Sequence, residues 1–115
     1  MRIRSDIFIS ALTRRVFSDG GYAAIVTKGS EASGAIFMRQ RFRDGLETLY
    51  GPAPQAMIGE QDRDDSIFEP RLTRAEPEAV EALIAREQKF DSDLWLVEIE
   101  VEDLGTYLTM TDQKD

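Results

Sequence analysis

Leu94-Trp95-Leu96-Val97-Glu98-Ile99-Glu100-Val101-Glu102 alternates with a period of two, placing Trp95, Val97, Ile99 and Val101 on one side and Leu96, Glu98, Glu100 and Glu102 on the other. Successive side chains of an extended chain point to opposite faces, so the pattern predicts a β-strand with one buried face. Trp95 falls on the regular side among β-branched neighbours, where core packing accounts for it. Just upstream the period changes. Val80, Leu83, Ile84, Glu87 and Phe90 recur at helical spacing, and Asp91-Ser92-Asp93 breaks the run. The start of this helix has two readings: a capping box of Thr73 and Glu76, or Pro77 as the first helical residue.

A second helical pattern opens the chain. Ile7, Phe8, Ala11, Leu12 and Val16 predict a helix over Ser5–Ser18, with Ser5 as N-cap and Gly20-Gly21 as its stop. Tyr22 to Lys28 reads as a strand, Gly29 to Gly34 as a loop of small residues, and Ala35 to Arg43 as a second strand. Asp44-Gly45 then predicts a two-residue type I′ turn into a third strand from Leu46 to Tyr50. Gly51-Pro52-Ala53-Pro54 ends that strand, because two prolines cannot both serve a ladder. Gln55 to Ser66 reads as a surface loop, Ile67 to Leu72 as an edge strand that tolerates Pro70, and Thr106 to Met110 as a short extended piece at the edge. The resulting order is α-β-β-β-(β)-α-β. It predicts an α+β domain over residues 1–110, a mostly antiparallel sheet with both helices packed on one face, and a frayed tail over 111–115.

Composition removes several chemistries. The 115 residues include no cysteine and no histidine, which excludes disulfides, thiolate nucleophiles, imidazole bases and Cys/His zinc sites. No stretch approaches the roughly 20 apolar residues of a membrane span. Thr13, Arg14 and Arg15 interrupt what would be a signal peptide, so the expected location is cytoplasmic, with no membrane partner. A net charge of −8 repels nucleic acid on average while leaving room for a local basic patch.

That patch would lie on the hairpin. Arg39, Arg41 and Arg43 share one parity, opposed to Ile36, Met38 and Phe42. A two-residue turn sets Arg43 opposite Leu46, Arg41 opposite Thr48 and Arg39 opposite Tyr50. Guanidiniums beside the Tyr50 ring form a candidate anion or nucleic-acid surface. The competing expectation is that the strand carrying Glu98, Glu100 and Glu102 lies alongside and neutralises the stripe.

Other motifs fail at named positions. In Lys28-Gly29-Ser30 the lysine precedes the glycine and a strand follows, the reverse of a phosphate-binding loop. Asp62-x-Asp64-Asp65 opens like a calcium loop, but Ile67 holds the glycine position and Thr73 the terminal glutamate position. Ser5, Ser10, Ser30 and Ser33 have no histidine to activate them, and only a Ser–Lys pair with Lys28 stays formally open. No catalytic, metal-binding or cofactor-binding residue is nominated, and no cofactor is expected. A carboxylate-dependent hydrolase is the remaining enzymatic alternative, but 22 acidic residues nominate no particular pair.

Ser33-Gly34-Ala35-Ile36-Phe37, Leu49-Tyr50-Gly51-Pro52-Ala53 and Phe90-Asp91-Ser92-Asp93-Leu94-Trp95 together resemble a family of short bacterial proteins, mainly alphaproteobacterial, of unknown function. The resemblance covers nearly the whole chain. Phe-Asp-x-Asp-Leu-Trp is its most specific part, and Ser92 stands where the family pattern has proline. It implies a freestanding single domain and lends no activity. The expected role is therefore a non-enzymatic accessory or protein-interaction domain, with a protein partner or a second copy bound at a sheet edge. Nucleic-acid binding on the arginine face is the alternative.

Overall fold

A computed structural model describes residues 4–54 and 67–111. The expectations for segment 55–66, including Asp62, Asp64 and Asp65, and for 112–115 lie outside those residues. The elements are α1 (Ser5–Ser18), β1 (Tyr22–Thr27), β2 (Ile36–Arg41), β3 (Glu47–Pro52), β4 (Ile67–Ala75), α2 (Pro77–Phe90), β5 (Trp95–Glu100), a 3-10 turn (Leu104–Thr106) and β6 (Thr109–Met110). The class is α+β, as expected.

Helix α1 has the predicted bounds but a different start. Arg4 is the N-cap, and Ser5 is the first helical residue. The Ser5 hydroxyl donates to the Gly34 carbonyl at 2.7 Å. The Ser5 and Asp6 amides donate to the carbonyls of Ala32 and Glu31. Loop carbonyls therefore satisfy the orphan N–H groups that a capping side chain would otherwise take. At the other end the Gly20 amide donates to Phe17 and the Gly21 amide to Val16, with Gly20 at φ 87°, the Schellman arrangement. For α2 the proline reading holds: Pro77 occupies the first turn, Glu76 caps with no side-chain bond, and Thr73 belongs to β4.

The six strands form one mixed sheet in the order β1-β5-β2-β3-β4-β6. Three neighbouring pairs are antiparallel, whereas β2–β5 and β4–β6 are parallel. Strand β3 runs through Pro52, which pairs with Phe68 at the strand's last position, so only Pro54 of the two prolines stands outside the ladder. Thr111 is tied to the sheet by its amide, which donates to the Phe68 carbonyl.

The helices cover opposite faces of this sheet, not one. Ile9, Leu12 and Val16 of α1 pack with Ile36, Met38, Phe68, Trp95, Val97 and Ile99. Val80 and Ile84 of α2 pack with Phe37, Leu49, Leu94 and Leu96. The reason lies in the central strands, which are apolar on both parities at one end, Met38 beside Phe37 and Val97 beside Leu96. A strand hydrophobic on both faces needs cover on both. The first two turns of α2 make this contact, and Phe90 at its C-terminal end stands 85% exposed instead of continuing the buried stripe.

The loop between β1 and β2 is clamped where the family-like segments meet. Ser30 N–H donates to the Asp93 carbonyl, Trp95 Nε1 donates to the Ser30 carbonyl at 2.8 Å, and Trp95 N–H donates to Ala35. A Cβ at Gly29 would fall 2.1 Å from the Asp93 carbonyl oxygen, and one at Gly34 would fall 2.4 Å from it. Only glycine fits at either position.

Candidate interaction surface

The hairpin tip departs from the expected turn, and the departure re-sorts the arginine face. Gly45 has φ 92°, but Asp44 has no positive φ, so the turn is not type I′. The Gly45 amide donates to Phe42 and the Phe42 amide to Leu46, which makes a three-residue loop of Arg43, Asp44 and Gly45 with glycine at the left-handed position. The Asp44 carboxylate accepts from the Leu46 amide at 3.0 Å. One extra loop residue shifts the register by one and moves every partner to the other face. Met38 now faces Tyr50, Arg39 faces Leu49, and Arg41 faces Glu47.

Arg39, Arg41, Arg43 and Tyr50 therefore do not form one surface. Tyr50 lies on the α1 side against the first core, where burial, with a smaller contribution from Asp103, pushes its hydroxyl pKa up. Arg39 is buried, its side chain 9% exposed, and holds Glu47 and Glu81 at 2.7 Å each. Burial alone would lower the Arg39 pKa, but the hydrogen bonds that its guanidinium donates to both carboxylates, with their charges, outweigh it and the net shift is upward. Arg41 is shared between Glu47 at 3.6 Å and Glu98 at 3.3 Å. Strand β5 does lie beside β2, with Glu98 opposite Arg39, but the parallel pairing brings only Glu98 of the three glutamates to the stripe by an ion pair. Glu47 and Glu81, which the sequence reading left out, make the shortest contacts.

Arg41 and Arg43 also line an open cleft of about 580 Å³ at the hairpin end of the sheet, together with Asp19, Glu100, Glu102 and Asp103. Four carboxylate side chains and two guanidiniums line it. At its rim the Tyr107 hydroxyl donates to Asp19 at 2.7 Å, and that bond raises the Tyr107 pKa. The buried Gln40 amide donates to the carbonyls of Val101 and Glu102, two residues of the cleft lining. Among the described residues no group of three His, Cys, Asp or Glu side chains is arranged to hold a metal ion.

A different surface carries the least-explained chemistry. Strand β1 is the outermost strand of the sheet, yet Tyr22-Ala23-Ala24-Ile25-Val26-Thr27 contains no charge and no proline. Only Ala23 is buried. Ile25 and Val26 stand 49% and 52% exposed, and Phe17 of α1 sets its ring edge-on against Tyr22 at 6.0 Å. Val26 sits at a bulge, between Ile25 opposite Val97 and Thr27 opposite Leu96. The other edge is guarded. Strand β6 has two residues, and β4 beyond it contains Pro70, which has no N–H to offer a further strand. Sequence alone signals an uncharged strand at Tyr22–Thr27, but only the strand order reveals that, among the described residues, no strand pairs with its outer edge.

A mixed six-stranded sheet with a helix on each face and an uncharged strand at one edge defines a small α+β domain. The chain belongs to a bacterial family of proteins of unknown function, DUF1491, which it matches over residues 3–109. It is similar to a protein from A. tumefaciens solved in solution, with 56% identity over 100% of this chain and 99% of that one and a TM-score of 0.85. A crystallised DUF1491 protein from Caulobacter crescentus is 26% identical over 90% of both chains, with a TM-score of 0.73. A solution structure of a DUF1491 protein from the same organism, 24% identical over 97% of this chain and 99% of that one, has a TM-score of 0.77 and shares the fold. No curated protein matches the chain. The family-like segments have structural work here, since Gly34, Ala35, Asp93 and Trp95 build the clamp at the β1–β2 loop.

Proposed function

We propose that the chain is a non-enzymatic protein-interaction domain that binds through the β1 edge. One observation carries the reading: β1 has the composition of an interior strand and the position of an edge strand. Edge strands usually carry lysine, proline or extreme shortness that prevents pairing. A ladder left unpaired by the described residues, with Ile25 and Val26 exposed, instead supports strand addition, in which main-chain bonds supply affinity and the flanking side chains select the partner. The cytoplasm is the compartment of this reading, in keeping with a chain that uses no disulfide. Among the described residues no helix is long and apolar enough to cross a membrane.

The phosphoanion reading has weaker support, because Arg39 is buried between two carboxylates and Tyr50 faces away. The test uses a photo-crosslinking amino acid at Val26 in the native host, with the same group at the exposed Ala85 of α2 as control. An adduct from position 26 that the control lacks is expected. No adduct from position 26 overturns the reading.

A further inference from the structure

We infer that the occupant of the β1 edge is a second copy of this chain, its β1 paired antiparallel across a two-fold axis centred on Ala24. The inference rests on the interaction reading above and names its partner. A two-fold contact must be self-complementary, each residue meeting its own symmetry partner. Centred on Ala24, the smallest exposed-edge side chain meets itself, and Tyr22 of each copy faces Val26 of the other. Aromatic and β-branched residues pair favourably across antiparallel strands. Val26, at the bulge, has no partner on β5, and its side chain is more than half exposed.

Charge supports a copy over an unrelated strand. The chain carries a net charge of −8, so two copies repel except where local charges oppose that average. The uncharged run of β1 is bounded by exposed Asp19 before it and exposed Lys28 after it. Antiparallel pairing on Ala24 sets Lys28 opposite Gly20 of the other copy, one residue from its Asp19, and does so at both ends. Parallel pairing would set Lys28 beside Lys28. The product is a continuous sheet through both copies, flanked by the two Phe17–Tyr22 ring pairs.

Sedimentation of the purified full chain over a dilution series tests this, with folding checked by circular dichroism. Wild type should dimerise, and Val26→Lys should weaken the dimer at least tenfold while leaving the spectrum unchanged. Lys28→Glu and Asp19→Lys should each weaken it, and the double variant Lys28→Glu/Asp19→Lys should regain most of the loss. A wild-type chain that stays monomeric at its solubility limit overturns the second copy as occupant. In that case an adduct from position 26 to another protein leaves the broader interaction reading standing. A dimer indifferent to Val26→Lys places the contact elsewhere and overturns the inference, as does a charge swap that fails to rescue.

Discussion

The two faces of the sheet solve the same problem with different chemistry. Both are apolar at the end near the start of β2 and turn polar toward the hairpin. On the α1 face the polar end is neutral: buried Gln40 donates to backbone carbonyls, and the buried Thr48 hydroxyl accepts the Arg74 amide at 2.9 Å. On the α2 face it is ionic. Helix α2 covers Phe37, Leu49, Leu94 and Leu96, and the same strands continue into Arg39, Arg41, Glu47 and Glu98. A neutral group satisfied by backbone is insensitive to its neighbours' charge. An ion satisfied by another side chain depends on that side chain. The α1 face should therefore respond to volume and the α2 face to pairing.

The largest effect should come from volume. Phe68 is fully buried on the α1 face and stacks with Phe8 of α1 at 6.0 Å between ring centres. Phe68→Ala should cost about 3–5 kcal/mol, from lost transfer energy and a residual cavity. Urea denaturation at low and high sodium chloride should return the same loss, since no charge is involved. A loss under 1 kcal/mol would mean that this face is not closely packed.

Pairing should come next. Arg39→Ala leaves the Glu47 carboxylate, 3% exposed, with only the more distant Arg41. The expected cost is about 3 kcal/mol, the low end for breaking a buried pair, because Glu81 on the rim returns to water. The double variant Arg39→Leu/Glu47→Leu should recover most of it, because hydrophobic replacement of a whole buried pair is often neutral. If the double variant is no more stable than the single one, the network carries more than charge compensation and the contrast between faces fails.

Much of this contrast could be read from residue order, and one feature concealed the rest. The helices, the strand at Trp95 and its buried face follow from periodicity, which depends only on neighbours in the chain. The second core was in the sequence too, as Leu94 and Leu96 sharing a parity with Glu98. A strand face that changes from apolar to charged midway reads as solvent-exposed unless its two halves are judged separately. The hairpin register could not be read in this way. Asp-Gly fits both a two-residue loop and the three-residue loop adopted here, and the difference of one residue sends Tyr50 to the α1 side and Glu47 to the arginines. Edge and interior position depend on strand order, which no local pattern encodes. The uncharged character of Tyr22–Thr27 was therefore visible, but its exposure was not.

The smallest effect tests where the ionic half of the α2 face stops mattering. Glu98 meets Arg41 at 3.3 Å, but the two side chains are 21% and 46% exposed. Water and salt screen such a pair, and exposed pairs contribute at most about 1 kcal/mol. Arg41 also keeps Glu47 as a second partner, so Glu98→Gln strands no buried charge. The variant should lose a few tenths of a kcal/mol at low salt and nothing measurable at high salt, whereas the Arg39→Ala loss should persist at both. The difference arises because Arg39 lies within the protein and Arg41 at its rim, on the same face and two residues apart. A Glu98→Gln loss that is large and indifferent to salt would extend the buried network out to β5 and leave this face with no solvated half.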